Sequence, residues 1–235
     1  MSTSSPQRPP LTKAAAWREV GLTAAILWLV LGGACFVLGA QWIHDRWGKS
    51  LNATLILDVV FLIGCLVVIG FVLWRQRRQG EGIAELGWGR PARMPVVIIA
   101  VVYGLAWTSM SYMRGGDPLA FPWQRPVMMA IGLVLAFAEE IAVRGLILDR
   151  LARCGTSRLL QIVVTAAIMA VYHGVVGHSI WPSYMVSSFV IFGILSAIYV
   201  YGGRSLTPVF IAHAMTHFLG DPALMQGILY GVGAG

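Results

Sequence analysis

Apolar residues run along this chain in long blocks rather than in the alternation of a strand or the narrow stripe of a soluble helix. Each block is close to the ~20 residues that cross a bilayer core as a helix. The pattern predicts spans over about Val20–Trp42, Ala53–Trp74, Pro95–Met113, Pro126–Ala152, Ser157–Gly177, Ser183–Tyr201 and, from Ser205 or Pro208, to Gly220. The apolar remainder, Asp221–Gly235, reads as a partial eighth helix or a re-entrant piece. The expected fold is therefore all-α: a polytopic transmembrane helical bundle of seven to eight spans. Residues 1–16, rich in Ser, Pro and Thr, read as a disordered tail, and residues 17–235 as a single transmembrane domain.

Punctuation fits this reading. Pro126 suits the first turn of the fourth helix and Gly155 its stop. That helix is almost 30 residues long, about 43 Å at 1.5 Å per residue, so it tilts in or protrudes from a core of about 30 Å.

Composition agrees. The chain of 235 residues is 57% hydrophobic and 11% charged, where a soluble domain carries roughly 25% charge. Mean hydropathy is +0.74. The formal charge of +7 would raise nucleic acid as a partner in a soluble protein. Here the 15 Arg and 2 Lys lie mostly in short loops, where they orient spans and meet anionic lipid. With the N-terminus cytoplasmic, the inner side holds Arg8, Lys13, Arg18, the five Arg between 75 and 93, and Arg150, Arg153, Arg158 and Arg204. The outer side holds only Arg46, Lys49, Arg114 and Arg125. This asymmetry predicts an integral membrane protein with a cytoplasmic N-terminus. The Arg-over-Lys bias points to a bacterial inner membrane. Cys35, Cys65 and Cys154 form no CxxC pair and read as packing residues.

One segment breaks the apolar rule. Ala138-Glu139-Glu140-Ile141-Ala142-Val143-Arg144 puts three charges inside the fourth span, each costing about 3 kcal/mol on insertion scales. Glu140 and Arg144 are i and i+4 with the acid first, the favourable order for a helical pair. Glu139 points about 100° away from Glu140, so the two carboxylates have different neighbours. Arg144 can hold Glu140 ionised, leaving Glu139 free to exchange a proton as a general base must. The bland alternative is an intramembrane salt-bridge staple with a spare acid at a crevice.

Three histidines fall within later spans. His173 ends the run from Ile168, and His213 and His217 share a face of the seventh span at i and i+4. Each alone is more often a hydrogen-bonded core residue. As a set, beside Glu-Glu-x-x-x-Arg, they suggest a site. Rise per residue puts Glu139 about 20 Å from the outer end of its helix, His213 roughly 12 Å above the inner end of its own, and His173 about 23 Å above the inner end of the fifth. Glu139 and His213 then share the inner half, while His173 stands nearer the outside.

These motifs resemble the CPBP family, the CAAX protease and bacteriocin-processing (Abi) group of type II CAAX prenyl endopeptidase-like intramembrane proteases. The resemblance covers about residues 90–220. Glu139, Glu140 and Arg144 fit the first motif, with Gly145 and Leu146 following. His173 fits the second, with Met169 where Phe is usual. His213 fits the third, with His217 where Asn or Asp is usual. The resemblance implies a glutamic endopeptidase whose site lies inside the membrane and faces the cytoplasmic leaflet. Glu139 would activate a water with help from His173, His213 and His217 would stabilise the oxyanion, and Glu140 and Arg144 would position these groups. It implies no cofactor, and a peptide or protein substrate at the membrane, prenylated for the eukaryotic relatives.

His217 keeps one hydrogen-bond donor, as Asn does. It also creates His-x-x-x-His, so a zinc-dependent mechanism using His213, His217, Glu139 and His173 is the second mechanistic reading. The alternatives to a peptidase are a catalytically inert membrane partner, such as a bacteriocin immunity or regulatory protein, and a transporter. Transport ranks last because no internal repeat is visible.

Overall fold

The computed structural model describes residues 10–48, 50–113, 122–176 and 181–220. All regular structure among them is helical. We number the helices α1 (Lys13–Trp47), α2 (Leu51–Arg78), α3 (Met94–Met113), α4 (Gln124–Arg153), α5 (Arg158–Val176), α6 (Trp181–Tyr201) and α7 (Leu206–Phe218). Five of them, α1, α2, α4, α5 and α6, are long and apolar enough to cross a membrane. The protein is an all-helical integral membrane protein. The possible eighth span, Asp221–Gly235, lies outside the described residues, as do residues 1–9 of the predicted tail.

Helix α1 begins at Lys13, inside the stretch expected to be a tail. Thr12 caps it, its hydroxyl accepting from Ala15 N at 3.3 Å, which satisfies a free N–H of the first turn. Ser50 does the same for α2 through Ala53 N at 3.2 Å. Gly48 and Gly155, with φ of +66° and +77°, end α1 and the turn after α4 in a backbone region that glycine occupies without strain.

Helix α4 is the axis of the bundle. Of its apolar window 61% is buried, against 33% for α2. Two stretches of the chain, Leu27–Gly39 in α1 and Ile141–Ile147 in α4, have π-type hydrogen bonding. The second carries Arg144, and wide turns of this kind recur at functional sites. Close approach of α1 and α2 depends on Gly64, where a Cβ would stand 2.7 Å from Cys35 Sγ. Cys35 and Cys65 are both buried at this contact.

The polar stretch between α2 and α3 does not simply trail across the surface. A short turn, Ala84–Leu86, lifts Leu86 into the bundle, where it is fully buried. Leu86 packs on α4 at Gly145, where an added Cβ would lie 3.1 Å from its own. Trp88 stacks edge-on against Phe137 of α4 and Phe210 of α7, at 5.0 and 5.4 Å between ring centres. Leu206 N donates to Gly87 O at 2.9 Å. Helix α7 therefore starts against this inserted turn.

Candidate active site

The helices alternate in direction, so each end of the bundle collects matching helix termini. One end holds the start of α1, the α2–α3 connection, the α4–α5 turn and the α6–α7 turn. The other holds the end of α1, the start of α2, the end of α3, the start of α4, the end of α5, the start of α6 and the end of α7. A cavity of about 190 Å³ lies in this second half. Its walls come from Phe36, Phe61, Met128, Ile131, Leu135 and Ile191, and its polar groups include Glu139, His173, His213 and His217.

All six residues singled out in the sequence come together, but not in one layer. Glu139, His173, His213 and His217 line the cavity, whereas Glu140 and Arg144 lie behind it, each fully buried. The 100° offset between adjacent helical positions separates the two carboxylates as expected. Arg144 Nη1 donates to Glu140 Oε1 at 3.0 Å and Nη2 to Phe192 O at 3.1 Å. The Arg144 guanidinium also lies over the Phe192 ring, 5.1 Å from its centre. A buried charge pair of this kind is tolerable because both partners are hydrogen-bonded.

His213 links the two layers. Its Nδ1 lies 2.8 Å from Glu140 Oε1, and its Nε2 lies 3.8 Å from Glu139 Oε2. A carboxylate held ionised by Arg144 can only accept, so Nδ1 carries the proton and Nε2 faces Glu139. Trp107 stacks on the imidazole at 5.5 Å and 19°, and Phe192 meets it edge-on at 5.4 Å, which fixes the ring plane. His173 is oriented in a similar way. Its Nδ1 donates to Met169 O at 2.9 Å, since a carbonyl only accepts, and this leaves Nε2 as an acceptor. His217 stands 5.2 Å from His213, ring centre to ring centre. It fits because α4 has no side chain at Gly132, where a Cβ would come within 2.6 Å of His217 Cβ.

Glu139 is 2% exposed, yet its Oε2 has no hydrogen-bond partner among the described residues. Burial without a partner costs about 1–3 kcal/mol or more for a charged group. A water or a substrate group in the cavity would remove that cost. Tyr172 lines the same cavity as this carboxylate. Sequence reasoning missed Tyr172, Trp107 and Phe192. Tyr172 adjoins His173 in sequence, which is the one local signal available. The other two meet the site only through packing across helices.

Residues 121–219 match the family model described as type II CAAX prenyl endopeptidase Rce1-like. The match covers less than half of the chain and supports a likeness to that family. The Rce1-like segment spans α4 to α7 and contains all six candidate residues, while α1, α2 and α3 lie outside the match. No curated protein and no solved structure matches the chain.

Among the described residues no three His, Cys, Asp or Glu side chains are grouped to hold a metal ion. His213 Nδ1 is occupied by Glu140 and His173 Nδ1 by Met169 O.

One pair of expectations cannot stand together. The chain was expected to have a cytoplasmic N-terminus and a site facing the cytoplasmic leaflet. The cavity occupies the half of the bundle away from the end where α1 starts. The depth comparison that left His173 too near the outside assumed that α7 begins at the membrane surface. It begins against the inserted Leu86–Gly87 turn, and His213 and His173 line one cavity.

Proposed function

We propose that this protein is an intramembrane endopeptidase that hydrolyses a peptide bond with a Glu139-activated water. The observation that carries this reading is the two-layer arrangement. One buried carboxylate, Glu139, lines the cavity with an oxygen lacking a partner. The second, Glu140, lies behind it and gives one oxygen, Oε1, to both Arg144 and His213. Its Oε2 has no hydrogen-bond partner among the described residues either, so it is the place of Glu139 on the cavity wall that separates the two. The family match supports a protease.

In this mechanism a water in the cavity gives a proton to Glu139 as its oxygen adds to the scissile carbonyl carbon. His173 Nε2 accepts the second hydrogen of that water and orients it. The negative charge that develops on the carbonyl oxygen is met by donors on His213 and His217. His213 Nε2 is the ring atom turned toward Glu139 and the cavity, because Nδ1 is held by Glu140. Collapse of the tetrahedral intermediate breaks the C–N bond, and the proton held by Glu139 passes to the leaving amine. Products are a carboxylate and an amine, with one water consumed. A positioned base supplies roughly 10²–10⁴-fold and a buried oxyanion donor about 3 kcal/mol. Glu140 and Arg144 act through His213 and are positioning residues. No resident cofactor has a role in these steps. We further assign the chain to a bacterial inner membrane, with its N-terminus in the cytoplasm, on the charge asymmetry of its loops.

The test is comparative proteomics of a host carrying wild type or Glu139→Gln, followed by cleavage of the peptides that differ by purified protein in detergent. Peptides processed by wild type and left intact by Glu139→Gln are expected. Identical peptide profiles and identical cleavage by both proteins would overturn the reading.

A further inference from the structure

We infer that the candidate site is reached from the arginine-poor face of the membrane, so that its substrates are extracytoplasmic: peptide segments presented at the outer leaflet, not tails in the cytosol. Three independent observations converge. The cavity is lined from the arginine-poor end on every helix. It takes α4 at Met128 to Glu139, α5 at Tyr172 to Val176, α6 at Tyr184 to Phe192 and α7 at His213 to His217. In each case these are the halves nearest the end where α1 finishes.

The opposite route is packed shut. Along α4 from Ala138 to Leu151 the side chains are buried, most of them completely. Leu86 and Trp88 are wedged against this stretch and its neighbours. Below them lies a layer of paired charges. Arg150, fully buried, donates to Asp149 at 2.6 Å and to Gln76 at 2.6 Å. Arg153 donates to Glu81 at 2.8 Å, and Arg204 to Gln161 at 2.6 Å. A substrate coming from that face would have to dismantle the inserted turn and this layer.

The face so closed is also the one that carries the positive charge. Arg18, Arg75, Arg77, Arg78, Arg90 and Arg93 lie there together with those of the α4–α5 and α6–α7 turns, whereas the cavity end has Arg46 and Arg125 among the described residues. The positive-inside rule counts Lys and Arg in short loops and makes the rich face cytoplasmic. The cavity therefore belongs to the outer half. Its walls are apolar and aromatic, and its polar groups sit at depth, so an apolar stretch of peptide entering from the outer leaflet can shed water before it meets Glu139. That a peptide is what enters rests on the peptidase reading above; the face of entry does not.

Single cysteines introduced into the full-length protein test this. Asp45→Cys reports the cavity end, Gln79→Cys the arginine-rich end, and Ser187→Cys the cavity itself. Each is exposed to a membrane-impermeant maleimide in sealed right-side-out and inside-out vesicles, with wild type giving the background from Cys35, Cys65 and Cys154. Labelling of Asp45→Cys and Ser187→Cys in right-side-out vesicles, and of Gln79→Cys only in inside-out ones, is expected. Reversal of the Asp45→Cys and Gln79→Cys pattern, or a Ser187→Cys that stays unlabelled in right-side-out vesicles, overturns the inference. The same labelling in a Glu139→Gln background, combined with unaltered peptide processing in that variant, would leave the topology standing and remove only the peptidase reading.

Discussion

His213 Nδ1 and the Arg144 guanidinium share a single oxygen, Glu140 Oε1, at 2.8 and 3.0 Å. The shared oxygen ties the position of an imidazole on α7 to a charge pair on α4. A loss of Glu140 therefore reaches the cavity through His213, although Glu140 itself does not line it.

Glu140→Gln leaves Arg144 buried without its counter-charge. Stability in detergent is expected to fall by about 3 kcal/mol, the scale for breaking a buried pair from one side. Adding Arg144→Met should restore part of it, because the orphaned charge is then gone. Thermal or denaturant unfolding of the two variants checks this, and a double variant less stable than Glu140→Gln would contradict it.

Glu139→Gln should behave differently. Glu139 has no ion pair with Arg144 to lose, and a neutral amide is cheaper to bury than a carboxylate. Unfolding should be unchanged or shifted slightly upward, while peptide cleavage falls by at least about 10²-fold. A variant that loses activity in step with stability would mean that Glu139 is structural.

At His217 the comparison is between Asn and Ala. His217→Asn keeps a donor and is expected to stay within about tenfold of wild type, while His217→Ala should lose roughly 10²–10³-fold, as for removal of an oxyanion donor. Equal rates for the two variants would take His217 out of the mechanism.

Gly132→Ala places a methyl 2.6 Å from His217 Cβ. That atom is fixed to the α7 backbone and cannot swing away, so α4 and α7 must separate. An expected cost of about 1–3 kcal/mol follows from overpacking, with cleavage reduced more than in a control such as Gly70→Ala, where the added Cβ meets nothing.

Cleavage should survive a strong chelator. Among the described residues no three His, Cys, Asp or Glu side chains are grouped to hold an ion, and the proposed steps route no charge through one. Loss of activity in chelator, recovered with Zn²⁺, would favour the zinc mechanism.

Much of this arrangement is legible in the sequence because membrane physics makes polar residues conspicuous. The seven apolar blocks correspond to seven helices among the described residues, five of them long and apolar enough to cross a membrane, with boundaries shifted where Lys13–Trp47 and Leu51–Arg78 run beyond the apolar blocks. Glu139, Glu140 and Arg144 stood out as charges in a span, and helical periodicity alone separated Glu139 from the other two. Trp107 and Phe192 did not stand out, because an aromatic residue in a span is ordinary until its cross-helix neighbours are known. Leu86 and Trp88 were hidden by their setting. They sit in a stretch whose arginines and glutamates mark it as a polar connection, and only tertiary packing draws these two apolar side chains inward.

The wedge of Leu86 and Trp88 has an energetic consequence for the cell. Buried carboxylates and histidines in a row across a membrane are what a proton wire is made of, and a continuous water file through them would short-circuit the transmembrane potential, worth about 2.3 kcal/mol per charge at 100 mV. The packed turn interrupts that file between Glu140 and the buried Arg150. For the proposed hydrolysis this means that water reaching Glu139 from the cavity would stop at the Leu86 turn and leave the bilayer electrically closed.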